Sequence, residues 1–224
     1  SQLTDLDPYR AAFAKVAELT EALRNDGHDI TRLDLGGGLG IPYERSNKAP
    51  PLPIEYGQVI RDTVGHLGCE IEIEPGRLIA GNAGIMVSSV IYLKEGEGRD
   101  FLILDGAMND LIRPAMYEAY HDIVAVTEPT PGQEPKPVDI VGPVCESGDT
   151  FAKQRLMPTL GAGDLVAFRS AGAYGAVMAS EYNGRPLIPE VLVDGDQFAV
   201  IRPRPSLEEM INRDKLPPWM QQSS

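Results

Sequence analysis

Apolar residues open the chain at helical spacing. Tyr9, Phe13, Val16, Leu19 and Leu23 recur every three or four positions and predict an amphipathic helix over residues 7–26. Asp7-Pro8 supplies an acidic cap and a first-turn proline, and Gly27 a stop. The pattern then shortens. Residues 30–35, Ile-Thr-Arg-Leu-Asp-Leu, read as a strand that runs into Gly36-Gly37-Gly38-Leu39-Gly40. A loop with Pro42, Pro50, Pro51 and Pro53 follows, and Ile54, Val59, Ile60, Val64 and Leu67 mark a second helix over 54–67. A second strand over 70–74 ends at Pro75-Gly76-Arg77. Helix, strand, helix, strand is the order of a parallel α/β unit, and two such units cannot close a sheet or a barrel by themselves.

Beyond about residue 84 the helical period disappears. Short β-like runs appear at 87–93, 101–104, 123–126, 138–144, 164–169, 191–193 and 198–202. Asp194-Gly195-Asp196, between the last two, is a hairpin signal. Residues 105–120 are expected to form a loop and a short helix, and residues 127–137, with four prolines, a surface loop. Short strands joined by turns predict an antiparallel β-domain. The division falls near residues 80–86, which gives an α/β part over 1–84 and a β-domain over 85–224.

Composition narrows the partners. The 224 residues carry a formal net charge of −13 and are 42% apolar, enough for a real core. So acidic a chain repels phosphate backbones and anionic lipid, which sets aside nucleic acid and membrane surfaces. No apolar run approaches the ~20 residues of a membrane span, and no signal peptide is visible. Two cysteines, Cys69 and Cys145, are too few for a disulfide framework and fit a reducing, cytoplasmic setting. Ser1 rather than Met begins the chain directly before a helix, as in a piece of a longer polypeptide.

Five stretches could carry chemistry. Glycines 36–38 follow a strand, where backbone amides can approach a phosphate, although a tight βα turn would look the same. Glu74-Pro75-Gly76-Arg77 also ends a strand. Its Arg suits a phosphate or carboxylate and its Glu a protonated ring nitrogen, while a turn with a surface ion pair is the plain alternative. Arg113 and Tyr117 are four residues apart and share a face if that segment is helical. Cys145-Glu146-Ser147-Gly148-Asp149 offers a thiol beside a carboxylate, as a proton donor or simply as a small buried cysteine. Ala171-Gly172-Ala173-Tyr174-Gly175 frames a tyrosine that could stack on a planar ligand or just pack. No metal site is expected, since no second Cys stands at ligand spacing and His28, His66 and His121 are scattered.

Each stretch is ambiguous alone, but their order is not. Asp-Leu-Gly-Gly-Gly-Leu-Gly, Glu-Pro-Gly-Arg, Asp105-Gly106-Ala107-Met108-Asn109-Asp110 leading to Arg113-Pro114 and Tyr117, Cys-Glu-Ser-x-Asp and Ala-Gly-Ala-Tyr-Gly together resemble the diaminopimelate decarboxylases, over nearly the whole chain. The resemblance implies the C-terminal part of a (β/α)8 barrel that binds pyridoxal 5'-phosphate, followed by an antiparallel β-domain. It implies decarboxylation of meso-diaminopimelate to lysine in a head-to-tail homodimer with shared active sites. By the same resemblance Gly36, Gly37, Gly38 and Gly76 would hold the cofactor phosphate, and Glu74 would pair with the pyridine nitrogen. Arg77 and Arg113 would bind substrate carboxylates, with Tyr117 beside them. Cys145 would donate a proton, Glu146 would face the distal ammonium, and Tyr174 would contact cofactor and substrate. Ser1 resembles a serine near the phosphate.

The lysine that the family joins to the cofactor lies well upstream of the glycine run. None of the six lysines here, Lys15, Lys48, Lys94, Lys136, Lys153 and Lys215, stands in that context, so the chain alone is expected to be inactive. Ornithine, arginine or carboxynorspermidine decarboxylases of the same fold, and a regulatory homologue without catalysis, are the alternatives. Cys145-Glu146, where the ornithine and arginine enzymes usually carry Cys-Asp, favours diaminopimelate.

Overall fold

A computed structural model describes residues 2–44, 49–129 and 131–220; Ser1 and Lys48 lie outside these. Helix α1 (Asp7–Asn25) has its cap at Leu6, one residue before the expected Asp7, which begins the helix itself. Asp5 takes the capping part instead, its carboxylate accepting from the Asp7 amide at 3.0 Å. The chain leaves α1 through Gly27 at φ +93°, a conformation open to glycine. Strand β1 (Arg32–Asp34) leads by way of the glycine run to α2 (Pro53–Val64), a 3-10 turn, and β2 (Glu70–Glu72).

The two strands pair in parallel, with Leu33 beside Ile71. Both are shorter than their apolar runs, but pairing continues irregularly, from the Leu35 amide to Glu72 O at 3.0 Å and from the Glu74 amide to Gly36 O at 2.8 Å. On one side α1 packs on α2: the Tyr56 ring lies edge-on to Tyr9 and Phe13 at 5.0 and 5.9 Å. These rings, with Leu33, Leu39, Val59 and Val64, form one core. Leu19 and Ile54, expected on the apolar faces, are exposed. At the N-terminus Leu3 runs parallel to Leu39, its amide bonded to Gly38 O at 2.9 Å.

A short helix α3 (Gly76–Ala80) carries the chain into a second core. Strands β3 (Met86–Lys94) and β4 (Asp100–Leu104) come first, then helix α4 (Arg113–Tyr117). Strands β5 (Ile123–Ala125), β6 (Lys136–Val141), β7 (Thr150–Met157) and β8 (Leu165–Phe168) follow. They form one six-stranded sheet in the order β5-β8-β3-β4-β6-β7. Its pairs are antiparallel except β4 with β6, which run parallel because α4 and β5 intervene in the chain and carry it back across the fold. The sheet curls toward closure without pairing its edge strands among the described residues, and the Arg155 side chain on β7 donates to His121 O at 3.0 Å, just before β5. Val90, Leu102, Leu104, Ile140, Val166 and Phe168 fill the interior. Strand β7 escapes the sequence reading because Lys153, Gln154 and Arg155 hide an alternation in which Phe151 and Met157 point inward.

Strands β9 (Glu190–Asp194) and β10 (Gln197–Arg202) form the expected hairpin, with Gly195 at φ +60° in its two-residue turn. A last helix, α5 (Leu207–Ile211), which the apolar pattern does not announce, is started by a reciprocal Ser206–Glu209 cap.

The segment 81–84 touches the loop 170–175 backbone to backbone. The Ala171 amide donates to Gly84 O at 2.8 Å and the Gly172 amide to Gly81 O at 3.1 Å. A Cβ on Gly172 would lie 1.9 Å from Ala80 O. Gly172→Ala is therefore expected to cost about 1–3 kcal/mol, read as a lower urea midpoint; a midpoint equal to the wild type's would refute the close approach.

Candidate functional site

Parallel pairing of β1 and β2 brings the ends of both strands to one edge, and with them the glycine run and Glu74. Gly36 and Gly38 take φ +67° and +100°. A Cβ on Gly37 would stand 2.1 Å from Glu74 O, so the two backbones can lie together only if residue 37 is glycine. The Gly36 amide is taken by the Asp34 carboxylate at 2.8 Å. Among the described residues no hydrogen bond takes the amides of Gly37 and Gly38, which suits an anion. The Gly76 amide turns back to Glu74 O at 2.9 Å. The Glu74 carboxylate is exposed beside this loop.

A second group forms where α3, α4 and the 170–175 loop converge. The Arg77 guanidinium lies 4.7 Å from the centre of the Tyr174 ring and donates to the Tyr43 hydroxyl. The Tyr43 ring also carries Arg113, at 4.8 Å. Arg113 is 8% exposed and donates to His121 Nε2 at 2.8 Å. His121 Nδ1 in turn meets Arg169 O at 3.0 Å. Burial, with Arg77 nearby, lowers the Arg113 pKa against the opposing pull of Tyr43. Among the described residues neither Arg77 nor Arg113 is paired with a carboxylate, so neither charge is neutralised within the chain. Tyr174 is held at φ +60°, a strained conformation for a residue with a side chain, which aims its ring at Arg77. Tyr117, one turn beyond Arg113, is exposed.

Cys145 and Glu146 are exposed at the head of a loop built on Asp149. That buried carboxylate accepts the Met108 amide at 2.7 Å and the Val144 amide at 2.8 Å. Its pKa is raised because desolvation outweighs those bonds. A Cβ on Gly142 would fall 2.3 Å from the same carboxylate. The loop is thus tied to the turn 107–110, and among the described residues it makes no hydrogen bond or ion pair with the arginine group.

The structure brings together Arg77, Arg113 and Tyr174, and separately Gly36, Gly37, Gly38, Glu74 and Gly76. It leaves Cys145 and Glu146 apart from the arginines. Sequence reasoning missed Tyr43 and His121: one sits in a proline-rich loop, and the other was one of three scattered histidines. His121, 1% exposed, has its pKa lowered to about 4, first by burial and then by Arg113 and Arg77, against its bond to Arg169 O.

An imidazole kept neutral in the fold but free to protonate when unfolded gives stability that is full above the unfolded pKa of about 6.5 and is lost as pH falls toward about 4. Between pH 7.5 and 5 this loss is expected to approach ~2 kcal/mol. Urea titrations at the two pH values, run beside His121→Phe, check it; an equal acid loss in the variant would remove His121 as the cause.

A model of the family described as pyridoxal-dependent decarboxylase, C-terminal sheet domain, matches residues 9–172. The diaminopimelate decarboxylase of Zymomonas mobilis is 47% identical over 220 residues, covering 98% of this chain and 52% of that protein. The structure of diaminopimelate decarboxylase from Helicobacter pylori complexed with L-lysine superposes with a TM-score of 0.88 at 40% identity, over 95% of this chain and 52% of that one. The enzyme from M. jannaschii, also in complex with L-lysine, superposes at 0.92 with 34% identity, over 98% of this chain and 51% of that one. The chain spans about half the length of the curated relatives it matches.

Proposed function

The chain belongs to the pyridoxal-dependent decarboxylases with a C-terminal sheet domain, and from that premise we propose that it is the C-terminal half of an enzyme that decarboxylates meso-diaminopimelate to lysine. In this proposal residues 1–84 are the last βα units of a cofactor-binding barrel and residues 85–224 its β-domain. The observation that carries it is the pair of guanidinium groups, Arg77 and Arg113, without carboxylate partners. A substrate with a carboxylate at each end needs such a pair, whereas ornithine has only one carboxylate.

Pyridoxal phosphate, when bound, supplies the electron sink for the pair of electrons left as carbon dioxide departs. The chain's residues fit it. The untaken amides of Gly37 and Gly38, with Gly36 and Gly76 shaping the loop, would hold the phosphate. Glu74 would keep a proton on the pyridine nitrogen. Tyr174, held over Arg77, would pack against cofactor and substrate. Arg77 and Arg113 would each take a carboxylate, and Tyr117 would sit at the rim. Cys145 would deliver a proton to the carbon that has lost carbon dioxide, and Glu146 would meet the distal ammonium.

Because the Cys145 loop stands apart from the arginines, it would serve the site of a second subunit. The five described lysines are all exposed. The lysine that holds the cofactor would come from the half of the relatives' length that this chain does not span, and the chain alone would not turn over substrate.

The test is carbon dioxide release by the full-length protein from meso-diaminopimelate and from ornithine. A preference for diaminopimelate on the order of 10⁴-fold is expected of a site built to pair a group that the analogue lacks. Preference for ornithine, or no turnover of either, defeats the proposal.

A further inference from the structure

We infer that His121 and Tyr43 are positioning residues that orient Arg113 and Arg77 through neutral acceptors, so that each guanidinium keeps its whole charge for a substrate carboxylate. The inference rests on the decarboxylase proposal above and deepens it.

Several other arginines are oriented by carboxylates: Arg99 by Asp139 at 3.3 Å, Arg185 by Asp110 at 3.4 Å and Arg213 by Glu181 at 2.5 Å. Arg24 and Arg155 instead donate to neutral oxygens, Ile30 O and Leu67 O for the first and the Tyr120 hydroxyl and His121 O for the second. A carboxylate fixes a guanidinium but also cancels its charge, leaving little attraction for a further anion. At the arginine group the partners are likewise neutral, and there two guanidinium groups share one aromatic ring. Arg77 donates to a phenolic oxygen, and Arg113 to an imidazole nitrogen.

The protonation of that imidazole follows from its two neighbours. A guanidinium can only donate, so His121 Nε2 must present its lone pair at 2.8 Å. A carbonyl oxygen can only accept, so His121 Nδ1 must carry the hydrogen aimed at Arg169 O at 3.0 Å. Only the neutral ring with hydrogen on Nδ1 meets both demands. Its edge-on packing against Tyr43, at 5.5 Å between ring centres, fixes the plane of the ring.

Tyr43 does more than accept from Arg77. Its face is shared by both guanidinium groups, at 4.8 and 5.7 Å from the ring centre. The negative face of the ring offsets part of the repulsion between two cations held close together, without supplying a net charge. A carboxylate in place of either acceptor would hold the arginine as firmly, yet would compete with the substrate.

The deciding comparison is His121→Glu against His121→Gln in the full-length holoenzyme, two side chains of one shape that differ in charge. Each is assayed for kcat and KM with meso-diaminopimelate, and for equilibrium binding of pimelate, a seven-carbon dicarboxylate, by calorimetry. His121→Glu is expected to weaken pimelate binding and raise KM about tenfold or more, since one charge-assisted contact is competed away. The loss should fall on KM more than on kcat, and His121→Gln should recover most of it.

The inference is overturned if a folded His121→Glu protein binds pimelate like the wild type, or if His121→Gln is as impaired as His121→Glu. If neither variant folds, Tyr43→Phe, which keeps the ring and removes the acceptor for Arg77, decides: weaker pimelate binding supports the inference and unchanged binding overturns it. A wild-type enzyme that binds pimelate but does not decarboxylate diaminopimelate counts against the decarboxylase proposal alone, since pimelate binding still ranks the variants.

Discussion

Replacing Cys145 with alanine in the full-length protein is expected to slow lysine formation from diaminopimelate by ~10²–10⁴-fold, the range for loss of a positioned proton donor. The thiol stands at the head of a loop whose position depends on Asp149, which takes the amides of Met108 and Val144. It is exposed and shares no hydrogen bond with the arginine group among the described residues. On the proposal that this thiol serves the site of a second subunit, mixing two variants is the direct readout. Cys145→Ala and Glu74→Ala proteins, each inactive alone, would form a mixed dimer with one complete site. Equal mixing would then restore about a quarter of wild-type turnover, because half of the dimers are mixed and one of two sites in each is intact. No recovery on mixing would place the cysteine in its own subunit's site, and wild-type rates in Cys145→Ala would remove its role.

Arg185→Ala is the second change with a large expected effect, here on stability. The Asp110 side chain is almost fully buried and 3.4 Å from Arg185. Asp110 also accepts the Ala107 amide at 2.9 Å and the Asn109 amide group at 3.0 Å. The same guanidinium reaches Asn109 Oδ1 at 2.9 Å and Asp105 O at 2.5 Å, pinning the turn that carries Met108. Removing it leaves a carboxylate in the interior with its charge uncompensated, at a cost of about 3–5 kcal/mol. Urea unfolding of the full-length protein checks the value. Adding Asp110→Asn removes the stranded charge and is expected to recover part of the loss, since the two residues are coupled. A single-variant loss below about 0.5 kcal/mol, as for an ordinary surface change, would show that Arg185 carries no such load. Because Met108 holds Asp149 and Asp149 holds the cysteine loop, the variant should also lower turnover before it unfolds.

Much of the fold is legible in local pattern. Helices α1 and α2 follow from their 3.6-residue apolar spacing, and the β9–β10 hairpin from Asp194-Gly195-Asp196. Strand β7 is not legible, since Lys153, Gln154 and Arg155 interrupt its alternation and Ile140 and Val141 meet it through bulged pairing. Nor is the parallel β4–β6 pair, for short apolar runs carry no sign of direction. Order along the chain was enough to mark the glycine run, Glu74, Arg77, Arg113, Cys145 and Tyr174, because each belongs to a motif of adjacent residues.

The sequence by itself determined the residue types of the site, the two βα units and the family they resemble, all properties written in neighbouring positions. The tertiary structure alone decided which of those residues meet. Tyr43 and His121 lie 78 positions apart in the numbering, and neither sits in a motif. They come together with Arg77 and Arg113 only when α3 and α4 converge on one loop. A hydrogen bond between distant segments depends on distance and direction in space, and no local period or spacing records either.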